Sequence, residues 1–236
     1  MSTDSIRSTL GDLVAPLNET VVVTIGGTPT SLGEVLGFVT GAACVYAVAT
    51  RRVWNWPVGM ANNVFFLIVF FSAGLFADSA LQLVFFALGA YGWWAWLRGG
   101  ASRTPLPVSD TTASQWWALA GAGVAGTALL TWALTTYTSS TVPLADAVTT
   151  VLSLLATWGQ CRKKVQSWYL WIAADVLYVP LYVYKDLVLT GILYVGFGAL
   201  CVLGLRNWRA EKARDLAARS APPLPTAPSP FAAHAG

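Results

Sequence analysis

The chain has 236 residues, of which 56% are hydrophobic and 11% charged, and it carries 12 tryptophans. Soluble domains carry about 25% charged residues, so the composition excludes an ordinary soluble domain and argues for an integral membrane protein. The net charge of +3 is too small for a nucleic-acid binder, and the single histidine, His234, leaves no His-based metal site or catalytic triad.

Residues 1–31 are polar to mixed, apart from a short VVVT run at Val21 to Thr24. The first apolar stretch lacks a basic flank and a small-residue cleavage site, so no removable signal peptide is expected there. Seven apolar segments follow, at about 32–50, 56–73, 80–97, 116–137, 144–160, 168–184 and 187–205, each within or near the length that spans a hydrocarbon core. The fifth is the least apolar, being rich in Thr. Pro57 reads as a helix-starting proline, and Pro180 as a kink and hinge inside the sixth segment. A basic helix-like stretch, NWRAEKARDLAAR, follows Arg206, and a Pro- and Ala-rich tail from Ser220 to Gly236 is expected to be disordered.

Basic residues sort the loops. Arg51, Arg52, Arg98, Arg103, Arg162, Lys163, Lys164, Arg206, Arg209, Lys212, Arg214 and Arg219 follow segments one, three, five and seven; only Arg7 and Lys185 fall on the other side. The positive-inside rule then places the N-terminus outside and the C-terminus in the cytoplasm, which an odd number of spans satisfies. An internal repeat agrees with seven. At an offset of 112 residues, 13 of the 65 pairs starting at Leu32 are identical, against roughly five or six by chance, and the register aligns Trp56 with Trp168, Gly92 with Gly204, Trp96 with Trp208, and Asn63 with Asp175. Three spans per repeat with one between them predict an all-α membrane protein of 3+1+3 architecture. Its repeats are parallel and related by an axis along the membrane normal, as in sugar transporters of the SWEET type. The expected units are an extracytoplasmic segment 1–31, repeat one 32–97, a loop and linker helix 98–143, repeat two 144–209, and a cytoplasmic basic segment with tail 210–236.

The sixth segment, WYLWIAADVLYVPLYVY, places Trp168, Trp171, Asp175, Tyr178 and Tyr182 on one helical face. A carboxylate in mid-membrane costs roughly 3 kcal/mol or more on insertion, so this face is expected to line an internal cavity rather than meet lipid. Its repeat-one counterpart is Trp56, Gly59, Asn63, Phe66 and Phe70. The fifth segment adds a stripe of Asp146, Thr150, Ser153, Thr157 and Gln160. Its hydroxyls and amide can bind a polyhydroxylated ligand or bond their own backbone and a neighbouring helix; beside the sixth segment, ligand contact is the expectation. Asn62, Asn63 and Gln82 are further polar candidates, with interhelical bonding as the alternative. Trp54, Trp93, Trp94, Trp96, Trp116 and Trp208 sit near segment ends, where an interfacial aromatic belt is expected. Cys44, Cys161 and Cys201 lie singly, without metal spacing, and read as small core residues. Asp175 itself is either a structural packing acid or a carboxylate among aromatic faces that suits a flat cation.

The runs TTVLSLLATWGQCRKKVQSWYLWIAADVLYVPLYVYKDLVLTGILY, NWPVGMANN and GLFADSALQLVFFALGAYGWWAW closely resemble the PnuC family of bacterial vitamin transporters over residues 32–209. The most specific match is the WxxWxxxD run at Trp168, Trp171 and Asp175. The resemblance implies a homotrimeric protein of the bacterial cell (inner) membrane; from the residues, no cofactor or metal is expected. It would move nicotinamide riboside by facilitated diffusion, with phosphorylation by a cytoplasmic kinase trapping the substrate. The same family includes riboflavin and thiamine transporters, which stand as the alternatives. Its site positions map best onto Trp168, Trp171, Asp175, Asn63 and the Thr150 stripe. One mid-membrane carboxylate, no mid-membrane base and no ATP-binding motif agree with a passive transporter. A membrane enzyme or receptor is the remote alternative, for which a clustered acid or histidine site or a larger cytoplasmic domain would be expected.

Overall fold

We describe the chain from a computed structural model, which describes residues 3–25, 28–138, 140–184 and 188–220. Each of the seven apolar segments is a helix: α2 (Leu32–Ala49), α3 (Asn55–Ser72), α4 (Phe76–Arg98), α5 (Ala113–Tyr137), α6 (Pro143–Cys161), α7 (Ser167–Tyr184) and α8 (Val188–Ser220). The basic stretch after Arg206 continues α8 without a break. Lys185 and the tail beyond Ser220 lie outside the described residues. Among those residues, α3, α4, α5 and Gly191–Ser220 are long and apolar enough to cross a membrane, and Val35–Ala49 is a shorter apolar helix. The hydroxyls, amide, rings and carboxylate carried by α6 and α7 make those two helices less apolar.

The N-terminal region holds more structure than its mixed composition announces. Helix α1 (Thr3–Glu19) is followed by an antiparallel pair, β1 (Val21–Ile25) and β2 (Thr28–Ser31), so the VVVT run is a strand. Val14 buries its side chain where α1 packs on α2 and α3. Arg7 reaches the end of α3, where its Nη2 donates to the Ser72 carbonyl at 3.4 Å and its guanidinium lies 5.8 Å from the Phe76 ring centre. That end is a left-handed cap: Gly74 has φ +77°, Gly74 N–H donates to Phe71 O and Leu75 N–H to Phe70 O.

The turns closing α2 and α6 repeat one design. Arg51 (φ 59°) and Lys163 (φ 47°) occupy the left-handed position where glycine is usual. Arg51 N–H donates to Val48 O and Arg52 N–H to Ala47 O; Lys163 and Lys164 do the same to Gln160 O and Gly159 O. A side chain in this conformation costs about 1 kcal/mol or more, and both side chains make offsetting contacts. Arg51 pairs with Glu211, and Lys163 donates to Leu106 O at 2.9 Å while its ammonium sits 4.6 Å from the Trp96 ring centre.

Between these turns lies a buried core built around four tryptophans. Trp56 meets Trp96 edge-on (5.4 Å, 88°), Trp168 meets Trp208 in the same way (5.4 Å, 87°), and Trp96 and Trp208 meet each other at 5.9 Å. Gly92 and Gly204 provide the notches, because a Cβ at either would fall on the ring of Trp56 or Trp168 respectively. Each inner tryptophan also bonds across to the other repeat: Trp96 Nε1 donates to Gln160 O at 2.8 Å, and Trp208 Nε1 to Val48 O at 3.0 Å. The offset of 112 maps one bond onto the other. The belt expectation therefore fails for Trp96 and Trp208, which are 1% and 0% exposed, because sequence position near a helix end does not distinguish lipid from a neighbouring repeat. Trp54, Trp93, Trp94 and Trp116 do present their rings outward.

The loop between α4 and α5 closes over this end. Val108 joins the tryptophan core, Lys164 Nζ donates to Asp110 O and Ser109 Oγ, Gln166 Nε2 donates to Asp110 Oδ1, and Lys212 pairs with Asp110. These contacts gather the basic loops and the extension of α8 on one end of the bundle. The hydrogen bonds from Lys212 and Gln166 hold the Asp110 carboxyl below its usual range.

Replacing Trp96 or Trp208 by Phe removes one cross-repeat bond and keeps a ring. Gln160 O and Val48 O each retain a backbone donor, so the expected loss is about 1 kcal/mol per site, read as a lowered melting temperature of the purified protein. Burial, and then the neighbouring Arg51, push the Lys163 ammonium down to about 8 from 10.5. Holding it charged therefore costs stability below about pH 8. The unfolded chain binds more protons between 8 and 10.5, so stability rises with pH across that window. Lys163→Met is expected to flatten that rise in a melting-temperature series.

Candidate functional site

A cavity of about 460 Å³ opens between the two sets of three helices, and α5 contributes nothing to its lining. The offset of 112 organises its walls. Val45 and Thr157, Val48 and Gln160, Trp56 and Trp168, Gly59 and Trp171, Asn63 and Asp175, Gln82 and Tyr194, Phe85 and Phe197, and Gly89 and Cys201 all line it as register pairs. Trp56 and Trp168 belong both to the cavity and to the tryptophan core, so the core bounds the cavity at the end where the basic loops gather. Repeat one lines it with neutral amides (Asn55, Asn62, Asn63 and Gln82) among apolar and small groups, and repeat two adds the one carboxylate, Asp175, with Thr157, Gln160 and Tyr194. Similar walls thus offer different chemistry.

Of the residues singled out by sequence, the structure brings Trp168, Trp171, Asp175, Asn62, Asn63, Gln82, Thr157 and Gln160 to this cavity. Asp175 is 5% exposed, and its Oδ2 lies 3.3 Å from the Cys201 thiol. Among the described residues no lysine or arginine pairs with it. The side-chain amides of Asn63, Gln82 and Gln160 take part in none of the hydrogen bonds described, so they keep donors and acceptors for a ligand or for water. Asn62 differs: its Nδ2 donates to Thr40 Oγ1 at 2.6 Å, tying α3 to α2, which is the interhelical alternative.

Thr150, Ser153, Tyr178 and Tyr182 do not line the cavity. The stripes step by three and four, and a straight helix drifts only about 20° per heptad from that spacing. The same spacing in repeat one keeps Gly41, Phe66 and Phe70 on the cavity, so the neighbours packed against each stripe decide instead. On α6 only the C-terminal turn reaches the cavity, and the buried Ser153 donates to the Thr149 carbonyl of its own helix at 2.9 Å. On α7, Tyr178 and Tyr182 lie against Tyr194 of α8, with ring centres 4.6 and 5.0 Å from it, and Tyr194 is the ring that lines the cavity. Tyr178 and Tyr182 stack at 5.6 Å and 24°, the same geometry as their counterparts Phe66 and Phe70, which do line the cavity. Pro180 is exposed within an unbroken α7.

Tyr194, Phe197 and Cys201 of α8 are among the lining residues that sequence reading did not place at the cavity, as are Asn55, Met60, Phe85 and Gly89. The signal was available, since Gln82 was already a candidate and the repeat register carries it onto Tyr194. The core reading of the cysteines holds for Cys161 and Cys201, both buried in the tryptophan core; Cys201 also lines the cavity, as does the half-buried Cys44. Among the described residues no three His, Cys, Asp or Glu side chains gather into a metal-type cluster.

Residues 31–210 match the family described as nicotinamide mononucleotide transporter. The chain belongs to that family. It is 32% identical over 204 residues to the riboflavin/roseoflavin transporter RibM of Streptomyces davaonensis, covering 84% of this chain and 90% of that protein. It is 26% identical to the nicotinamide riboside transporter PnuC of Escherichia coli, covering 83% of this chain and 92% of that protein. Among solved structures, the vitamin B3 transporter PnuC has the same fold, with a TM-score of 0.63 at 22% identity over 90% of each chain. Family membership and several apolar helices of membrane length make this a multi-pass transporter of the cell (inner) membrane, and the expected likeness to PnuC is borne out.

Ser153→Ala and Thr150→Val, which leave the cavity lining intact, are expected to change ligand affinity by less than about twofold, whereas Gln160→Leu weakens it by about fivefold or more. Tryptophan fluorescence titration with nicotinamide riboside and riboflavin, the vitamins named for the relatives, measures all three.

Proposed function

We propose that this protein carries nicotinamide riboside across the membrane by facilitated diffusion, and that a cytoplasmic kinase traps the substrate by phosphorylation without touching the transporter. The observation that carries the reading is Asp175, a buried carboxylate on the cavity wall with a thiol as its only described partner. A planar pyridinium cation supplies the missing charge, the indoles of Trp168 and Trp171 supply ring faces, and the free amides of Asn63, Gln82 and Gln160 suit a ribose. Relatives named as transporters support transport rather than catalysis.

The proposed architecture is seven spans in a 3+1+3 order, α2 to α4 and α6 to α8 about the single α5, assembled as a homotrimer. The N-terminal 31 residues lie outside and the segment after residue 209 in the cytoplasm. The gathering of basic loops at one end, the repeated turns of Arg51 and Lys163 and the paired tryptophan bonds support this arrangement. Tyr178 and Tyr182 act from behind Tyr194 rather than by contact with substrate. Pro180 is proposed as a hinge because it removes one backbone bond near the end of α7.

Riboflavin is the second reading. The 32% identity to a riboflavin transporter favours it, and a cavity of about 460 Å³ lies within the range that holds drug-sized ligands.

Binding titrations separate the two. Trp171→Ala is expected to abolish binding of the preferred vitamin, and unchanged affinity would remove that ring from the site. Asp175→Asn is expected to weaken nicotinamide riboside by about tenfold or more and riboflavin by much less, whereas equal losses would make Asp175 a packing acid. In proteoliposomes, labelled substrate should equilibrate to the external concentration without any ion gradient. Accumulation driven by a proton or sodium gradient would overturn facilitated diffusion.

A further inference from the structure

Cys201 stands where the repeat register has Gly89, and Asp175 where it has Asn63. The two repeat-two residues face each other across the α7–α8 hairpin, the thiol 3.3 Å from Asp175 Oδ2, and they are 3% and 5% exposed. Gly198, one helical turn before Cys201, completes the grip: its Cβ position lies 3.8 Å from Asp175 Cβ and 3.9 Å from Oδ2, so α8 packs closely along one side of the carboxylate. In repeat one, Met60 fills the corresponding space, its Cγ 3.0 Å from the Cβ position of Gly89, and no hydrogen bond is described for the Asn63 amide. The cavity lining therefore has, at one register pair, a gripped acid and an ungripped amide.

We infer that Cys201 is a positioning residue for Asp175. Its S–H donates to Oδ2, fixes the carboxylate against α8, and leaves Oδ1 as the oxygen for a ligand's positive or donor group. Cys201 thereby sets how strongly the cavity prefers a cationic ring over an uncharged one. A carboxylate held by one donor keeps a defined edge for charge pairing, whereas a freely rotating one loses orientation to entropy. The inference rests on the reading of Asp175 as a ligand-facing acid and names a residue that acts through it.

The test compares Cys201→Ala, which deletes the donor, with Cys201→Ser, which restores one of similar size. Equilibrium titration of the purified full-length protein with nicotinamide riboside and with riboflavin gives the ratio of the two affinities. Cys201→Ala should lower that ratio, cationic over uncharged, by about fivefold, and Cys201→Ser should bring it back to within about twofold of the parent. Infrared spectroscopy reads the contact without any ligand: one of the three S–H bands should disappear in Cys201→Ala, and the same band should shift in Asp175→Asn. A shifted band with an unchanged affinity ratio, or equal losses for both vitamins, would reduce Cys201 to a packing residue. A band that ignores Asp175→Asn would remove the hydrogen bond itself. If the parent protein binds neither vitamin while the band still responds to Asp175→Asn, the proposed substrate falls and the contact survives as a structural one.

Discussion

Four tryptophans hold the two repeats to each other, and the rest of the molecule is arranged around that contact. Edge-to-face indole pairs contribute about 0.5–1.5 kcal/mol each beyond their burial. Three such contacts run in a row from Trp56 through Trp96 and Trp208 to Trp168. The row forms only because Gly92 and Gly204 give up their side chains to the outer rings, and because Trp96 and Trp208 each find a carbonyl at the end of a helix in the opposite repeat. Those carbonyls are presented by turns whose left-handed residue is a cation rather than a glycine. Each strained cation is then used, Arg51 against Glu211 and Lys163 against Trp96 and the strap of residues 104–112. Ring, notch, turn and cation form one unit, present twice.

A duplicated scaffold of this kind fixes where a cavity can be and leaves its chemistry free. Once Trp56 and Trp168 are locked, the register dictates which positions of α2 to α4 and α6 to α8 face the space between repeats. Eight pairs do so. Divergence within those pairs breaks the symmetry: glycine against tryptophan at 59 and 171, amide against acid at 63 and 175, glycine against thiol at 89 and 201. An asymmetric ligand between similar halves is served by such differences, and at these three pairs they put an indole, a carboxylate and a thiol on repeat two.

The duplication, the seven helical segments and the eight lining residues that sequence placed at the cavity were legible because each leaves a local or periodic mark. Asp175 stands out as a carboxylate in an apolar run, and Trp168 and Trp171 share its face by spacing alone. Other features left no such mark. Trp96 and Trp208 resemble belt tryptophans in every local respect, and only contact with the other repeat makes them core. Thr150 and Ser153 extend a polar stripe convincingly, yet only Thr157 and Gln160 at its C-terminal end reach the cavity, and the buried Ser153 bonds its own helix. The N-terminal helix and strand pair have mixed composition, and they are held by a few long-range contacts such as Arg7 with the end of α3.

By itself, the sequence determined a membrane protein of two related halves, its helices, the grouping of its basic loops and the one carboxylate that apolar surroundings cannot leave unexplained. These follow from composition and periodicity, which are properties of a segment. Tertiary structure alone decided which end of the cavity the tryptophans close, that the tyrosines of α7 stand behind Tyr194, and that Cys201 meets Asp175. Each of these depends on the rotation and spacing of one helix against another, and packing between distant segments sets that geometry.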